Sequence, residues 1–197
     1  MQNTIFALAT GNQTAALSVI RVSGEDSEGI LKKLTLKNTP TERRLTLRNF
    51  YFPISNKKLI DSCLVVWMPA PRSYTGEDCI EIYSHGGDAV FQGFFSALTS
   101  FPNVRYAEQG EFSKRAIING KTDLVKAEAV NDLINAVTEK QRELAISQFN
   151  KGLSIPIIKW RKEIIKCMSL IEANIDFSDE SDTPENVNIT QELLKLR

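Results

Sequence analysis

The sequence predicts an α+β fold, with a sheet-and-helix domain over residues 1–118 and a helical region over residues 119–197. Three observations predict it. Segments with period-two apolar spacing fill the first part of the chain, up to Ser84. Prolines and paired glycines, at Pro69, Pro71 and Gly86-Gly87, punctuate those segments. From Glu111 onward nearly every segment carries helical spacing instead.

The elements follow in order. Ile5 to Ala9 and Ala16 to Val22 are β-rich, with a polar loop at Gly11 to Thr14 between them. Ser23-Gly24-Glu25-Asp26 resembles a capping box and should open a short helix through Ile30 and Leu31. Leu45 to Phe52 and Leu59 to Met68 read as two strands around a turn at Ser55-Asn56-Lys57. Cys79 to Ser84 is a further strand, and Gly86-Gly87 leads into an amphipathic helix through Val90, Phe94 and Leu98. In the second part, Leu124, Ala127, Val130, Ile134 and Val137 form an apolar stripe. Thr138 and Gln141 fit a capping box for a helix running to about Ile175, kinked at Gly152 to Pro156. An acidic linker from Asp176 to Glu185 and a capped segment from Asn188 to Arg197 complete the chain. Ending inside an amphipathic pattern, it reads as the leading piece of something longer.

Composition narrows the function classes. Hydrophobic residues make up 42% and charged residues 24%, the balance of a soluble globular protein. Lys plus Arg equals Asp plus Glu at 24 each, so the basic excess of a chain that grips nucleic acid unaided is missing. The three cysteines, Cys63, Cys79 and Cys167, are far apart and lack CxxC spacing, which fits a reducing cytoplasm. The N-terminus lacks the basic-then-apolar pattern of a signal peptide. No segment approaches the ~18 consecutive apolar residues of a membrane span.

Asn119-Gly120-Lys121-Thr122 looks like the tail of a phosphate-binding loop, but Arg115 stands where that loop needs its first glycine. The expected context is also wrong, since Glu111 to Ile118 is helical rather than a buried strand. A nucleotide site is rejected here. Lys121 is then either a solvated lysine in a turn or a cation meeting a polar ligand beside helix N–H groups. Arg21 shares a strand face with Leu17 and Val19, and Glu81 shares one with Cys79 and Tyr83. The two either pair with each other or with neighbours, or form a polar cluster in a cleft. In the second case a carboxylate can accept two parallel N–H bonds from an amidine-like edge, as a pterin offers. His85, the single histidine, precedes two glycines, with no Ser, Cys or Asp visibly arranged around it. No catalytic triad and no metal-ligand cluster emerges.

Taken together, three groups of motifs resemble one family. They are Ser18-Val19-Ile20-Arg21-Val22-Ser23-Gly24; Ser73-Tyr74-Thr75-Gly76-Glu77-Asp78 with Glu81 and His85-Gly86-Gly87; and Gly110-Glu111-Phe112-Ser113 with Arg115-Ala116, Asn119-Gly120-Lys121, Asp123-Leu124 and Ala127-Glu128-Ala129-Val130. Ile175-Asp176-Phe177 resembles the end of that family's first long helix. The family is the tRNA-modification GTPases, called MnmE or TrmE, and the resemblance covers nearly the whole chain.

The resemblance implies a mixed sheet with helices similar to the folate-binding domain of aminomethyltransferases, forming a homodimer, followed by part of a helical domain. It implies binding of a tetrahydrofolate carrying one carbon, in the 5-formyl or 5,10-methylene form, through Arg21, Glu81 and Lys121. His85, Tyr83 and Asn119 are expected to line the site. It further implies a flavin-dependent partner, MnmG or GidA, a tRNA substrate modified at carbon 5 of the wobble uridine, and a cytoplasmic setting. GTP hydrolysis with Mg²⁺ and K⁺ would belong to a G domain whose motifs these residues do not contain, so no catalytic residue is expected here. The chain departs from the family at Gly11-Asn12-Gln13-Thr14-Ala15-Ala16, which lacks the usual proline and glycines, and at Gln109, where proline is common. A folate-independent dimerisation scaffold and a stand-alone aminomethyltransferase relative are the alternatives.

Overall fold

A computed structural model describes residues 3–11, 14–53, 58–151 and 154–176. The chain forms two compact units, Met1–Thr122 and Asp123–Arg197.

The first unit is built on a six-stranded sheet. Its strands are β1 (Thr4–Leu8), β2 (Ala15–Ser23), β3 (Thr46–Tyr51), β4 (Leu59–Met68), β5 (Cys79–Gly86) and β6 (Val104–Tyr106). Their order across the sheet is β3-β4-β5-β2-β1-β6. All neighbours are antiparallel except β1 and β6, so the sheet is mixed. Side chains alternate between faces along each strand. Ile20 and Val22 of β2, Val65 and Trp67 of β4, and Ile80 and Ile82 of β5 point into the core. There they meet Ile30, Leu31 and Leu34 of α1 (Ser27–Thr35) and Phe91, Phe94 and Leu98 of α2 (Asp88–Thr99). With α1 and α2 covering one face, Arg21 of β2 and Glu81 and Tyr83 of β5 lie on the other.

Two details of this unit differ from the sequence reading. The residues Ser23 to Asp26 do not form a capping box. Asp26 occupies the N-cap of α1 without a side-chain cap bond. Ser23 instead closes β2, and its hydroxyl meets Thr75 Oγ1 at 2.7 Å and Glu77 Oε2 at 2.6 Å. The right residue types were present, but long-range partners claimed them. The short strand β6 was also missed, because three residues carry no readable period and only its parallel pairing with β1 creates it.

The end of α3 (Glu111–Ile118) explains the false phosphate loop. Gly120 adopts φ +66°, the left-handed conformation that glycine tolerates best. The Gly120 N–H donates to Ile117 O at 3.0 Å, and the Lys121 N–H donates to Ala116 O at 2.8 Å. This pair of bonds is a Schellman motif, which satisfies the last carbonyls of a helix.

The second unit contains α4 (Leu124–Asn135), α5 (Glu139–Lys151) and α6 (Ser154–Asp176). Asp123 caps α4 by accepting the Lys126 N–H at 2.9 Å. The capping box at α5 forms as the sequence implies. Thr138 Oγ1 accepts from the Gln141 N–H at 3.3 Å, while Gln141 Oε1 accepts from the Thr138 N–H at 2.9 Å. Thr138→Ala should therefore destabilise the first turn of α5 by about 1 kcal/mol. Amide exchange reads this directly, and unchanged protection at Gln141 and Arg142 would contradict it.

The apolar stripe on α4 is only partly covered. Ala129, which lies outside the expected series, is the buried residue of this helix. Leu124 and Ile134 are exposed, and Val137, 90% exposed, lies beyond the helix end. The helix expected to run to about Ile175 is helical on both sides of residues 152–153, and the kink expected there begins outside the described residues. Pro156 falls in the first turn of α6, where a missing N–H costs little. The turn at 55–57, the linker beyond Asp176 and the segment at 188–197 also lie outside the described residues. Among the described residues, no helix is long and apolar enough to cross a membrane.

Candidate functional site

The sheet face opposite α1 and α2 carries the candidate site. Arg21 of β2 and Glu81 of β5 are register partners on adjacent antiparallel strands. Arg21 directs Nε and Nη2 onto the same oxygen, Glu81 Oε1, at 2.9 and 2.7 Å. The other carboxylate oxygen, Oε2, accepts the Tyr83 hydroxyl at 2.9 Å. The side chains remain partly open, 24% for Arg21 and 16% for Glu81. Of the two readings of this pair, direct pairing is realised, and it occurs within a larger polar cluster. The Arg21 guanidinium also lies 4.8 Å from the ring centre of Tyr74 and 5.7 Å from that of Phe112, which adds cation–π attraction. Tyr74 is tied in turn to α3 by a 3.0 Å hydroxyl contact with Ser113. Burial and the bond to Glu81 push the Tyr83 phenol above its ordinary range, with Arg21 opposing.

The segment between β4 and β5 carries the second half of the site. Gly76, at φ +80°, passes so close beneath Asn119 and Lys121 that an added Cβ would come within 3.0 Å of Asn119 Cβ and 3.1 Å of Lys121 Cγ. Asn119 Nδ2 donates to Thr75 O at 2.8 Å. Lys121 Nζ donates to Pro71 O at 2.8 Å and has two N–H groups left. A cleft of about 450 Å³ opens here, lined by Glu25, Ala70, Gly76, Glu77, Asp78 and Asn119. The structure thus joins Arg21, Glu81 and Tyr83 in one cluster and Asn119 and Lys121 in another. Residues 69–78 touch both, through Tyr74 on the first side and Gly76 on the second. No hydrogen bond links Lys121 directly to Arg21 or Glu81.

His85 belongs to neither cluster, and it does have an aspartate. Its Nδ1 lies 2.9 Å from Asp61 Oδ1, and its backbone N–H donates to Asp61 Oδ2 at 3.0 Å. The ring is 71% exposed. The two residues are 24 positions apart, so only the pairing of β4 with β5 brings them together. Nearby Cys63 is buried, and burial together with the Asp61 charge pushes its thiol up to about 12, which leaves it inert as a nucleophile. Among the described residues, no group of three or more His, Cys, Asp and Glu could hold a metal ion.

Residues 4–121 match the family described as GTP-binding protein TrmE N-terminus, and residues 124–197 match the MnmE helical domain. The chain belongs to the TrmE family. It is 48% identical to the tRNA modification GTPase MnmE of Rhodopseudomonas palustris (strain HaA2), over 91% of this chain and 38% of the relative. The corresponding protein of Beijerinckia indica is 45% identical over 92% of this chain and 40% of its own length. A mouse relative, the mitochondrial 5-taurinomethyluridine-[tRNA] synthase subunit GTPB3, is 44% identical over 94% of this chain and 38% of its own length. The chain thus spans about two fifths of the length of these curated relatives.

Two of the TrmE-like motifs are bound to each other by a network that sequence reasoning missed. Arg115 is 3% exposed. It donates to both oxygens of Glu77 at 3.2 and 3.0 Å, to Glu111 Oε1 at 3.0 Å and to Asn3 O at 2.8 Å. Arg105 forks onto Glu111 with bonds of 2.8 and 2.7 Å. That fork, helped by the Glu108 N–H and by Arg115, holds the Glu111 carboxyl down to about 2 against the cost of burial. Through Glu77 the network reaches Ser23 at the end of β2. It fixes residues 73–78 against α3 and thereby sets the position of both clusters. The one local signal was the i,i+4 spacing of Glu111 and Arg115.

Proposed function

We propose that this chain is the folate-binding part of a tRNA-modifying GTPase, holding a tetrahydrofolate that carries one carbon in the 5-formyl or 5,10-methylene form. The observation that carries the reading is the Arg21–Glu81–Tyr83 cluster beside the Lys121 loop, in a chain whose relatives are named as tRNA modification GTPases. The donor and acceptor set suits such a ligand. Glu81 Oε2 retains an open acceptor position for a ring N–H. Lys121 Nζ is close to its loop yet not saturated, and can meet a carboxylate or carbonyl. Tyr74 and Phe112 flank Arg21 and restrict how its guanidinium turns.

In the whole protein the bound folate supplies one carbon at the formyl or methylene oxidation level. The residues here bind and orient the ring and hold it with fixed charges. The modification itself, an aminomethyl-type group at carbon 5 of a wobble uridine in tRNA, would proceed with the flavin-dependent partner MnmG (GidA). Chain length outside this segment would supply GTP hydrolysis with Mg²⁺ and K⁺. Homodimerisation through the first unit and a cytoplasmic setting complete the proposal.

Calorimetric titration with 5-formyltetrahydrofolate tests the site. Glu81→Ala should weaken binding by about 1.5–3 kcal/mol, roughly tenfold to a hundredfold in Kd, because a charged acceptor is removed. A protein with intact Glu81 that ignores folates would instead favour a folate-independent scaffold.

A further inference from the structure

We infer that the acceptor pair offered to a ligand's two-N–H edge is Glu81 Oε2 together with Tyr83 Oη, and not the two oxygens of the Glu81 carboxylate. This rests on the folate reading above and assigns Tyr83 as a specificity-determining contact within it.

The argument counts acceptor positions. An ionised carboxylate offers about four, two on each oxygen. Arg21 fills both positions of Oε1 by sending Nε and Nη2 to that single atom. Tyr83 fills one position of Oε2. One position remains, and it lies on Oε2. A ligand edge with two N–H groups that sought both carboxylate oxygens would have to strip an N–H of Arg21 from Oε1. Those bonds are charge-assisted, and the guanidinium is further held by the rings of Tyr74 and Phe112.

The phenol offers the alternative. A tyrosine hydroxyl has one proton, and that of Tyr83 is committed to Glu81. Its oxygen is left as an acceptor, and no other hydrogen bond from the described residues engages it. Oη lies 2.9 Å from Oε2. The two oxygens therefore form a pair of neighbouring acceptors, one anionic and one neutral, and accepting two N–H groups there leaves Arg21 undisturbed. The raised phenol pKa keeps the proton on Tyr83 and the arrangement intact around neutrality. Such a pair selects heterocycles with two adjacent N–H donors over those with one.

The test uses the full-length protein with two probes. The first is 5-formyltetrahydrofolate. The second is its 2-desamino-2-methyl analogue, which has only one N–H on that edge. With the parent ligand, Tyr83→Phe should weaken binding about fivefold, the loss of one neutral hydrogen bond. The analogue needs one acceptor and takes the anionic Oε2, so Tyr83→Phe should change its affinity by less than about twofold. If Tyr83→Phe leaves the parent ligand unchanged or tightens it, the carboxylate accepts both N–H groups and the inference is overturned. Equal losses for both probes overturn it as well, since they would show that the hydroxyl only props Glu81. Absence of binding of either probe to the unmutated protein is a separate outcome, because it refutes the folate reading and takes this inference with it.

Discussion

Replacing Arg115 with methionine should lower the unfolding free energy of the first unit by about 3–5 kcal/mol, the usual result of removing one partner from a buried ionic network. Methionine keeps an unbranched apolar stem and removes the guanidinium with its charge. Among the described residues, Glu77 then loses its one cation and keeps the Ser23 hydroxyl, while the Asn3 carbonyl loses its side-chain donor. Glu111 keeps the Arg105 fork. A partial offset comes from Arg115 Nε, which is buried without a partner and disappears with the substitution. Urea unfolding at neutral pH measures the difference, and a loss below about 1 kcal/mol would show that the network positions the loop without stabilising the fold. Acid should spare this network until late. Glu111 has a folded value near 2, below its ordinary 4.5, so its contribution is complete above about 4.5 and is lost as pH falls through about 2.

Phe94→Ala should cost a similar 3–5 kcal/mol for a different reason. Phe94 is fully buried, with its ring set edge-on to Phe50 at 5.3 Å. It lies where α2 meets the sheet, among side chains too tightly held to collapse into the space left behind. Thermal unfolding followed by circular dichroism reads the loss. Because the site lies on the opposite face of the sheet, folate affinity at a temperature where the variant stays folded should be unchanged. A coupled loss of affinity would mean that α2 transmits strain through the sheet.

What could be read from the sequence follows the range of the interactions. Strands β2, β4 and β5 were visible because one face is buried and the alternation is local. The α5 capping box was visible because its partners are three residues apart. Arg21 and Glu81 were flagged because charges on half-buried strands must find partners. Which partners they found required the register of β2 against β5. The Glu77–Arg115 contact spans 38 positions and the Asp61–His85 contact 24, and no local pattern encodes either. Periodicity also says which residues of α4 are apolar without saying whether anything covers them, which is why Ile134 is exposed although it fits the stripe.

The Schellman turn after α3 bears on how short sequence patterns are matched to chemistry. A phosphate loop needs a glycine followed by a lysine, and a helix C-cap favours a glycine that a lysine can follow, yet the two lie at opposite ends of a helix. At an N-terminus free amide protons converge on an anion; at a C-terminus carbonyl oxygens converge and attract a cation. In this chain Gly120 and Lys121 close a helix rather than open one. The same letters therefore present the reverse electrical polarity, and helix direction must be settled before a glycine–lysine pair can be assigned a ligand.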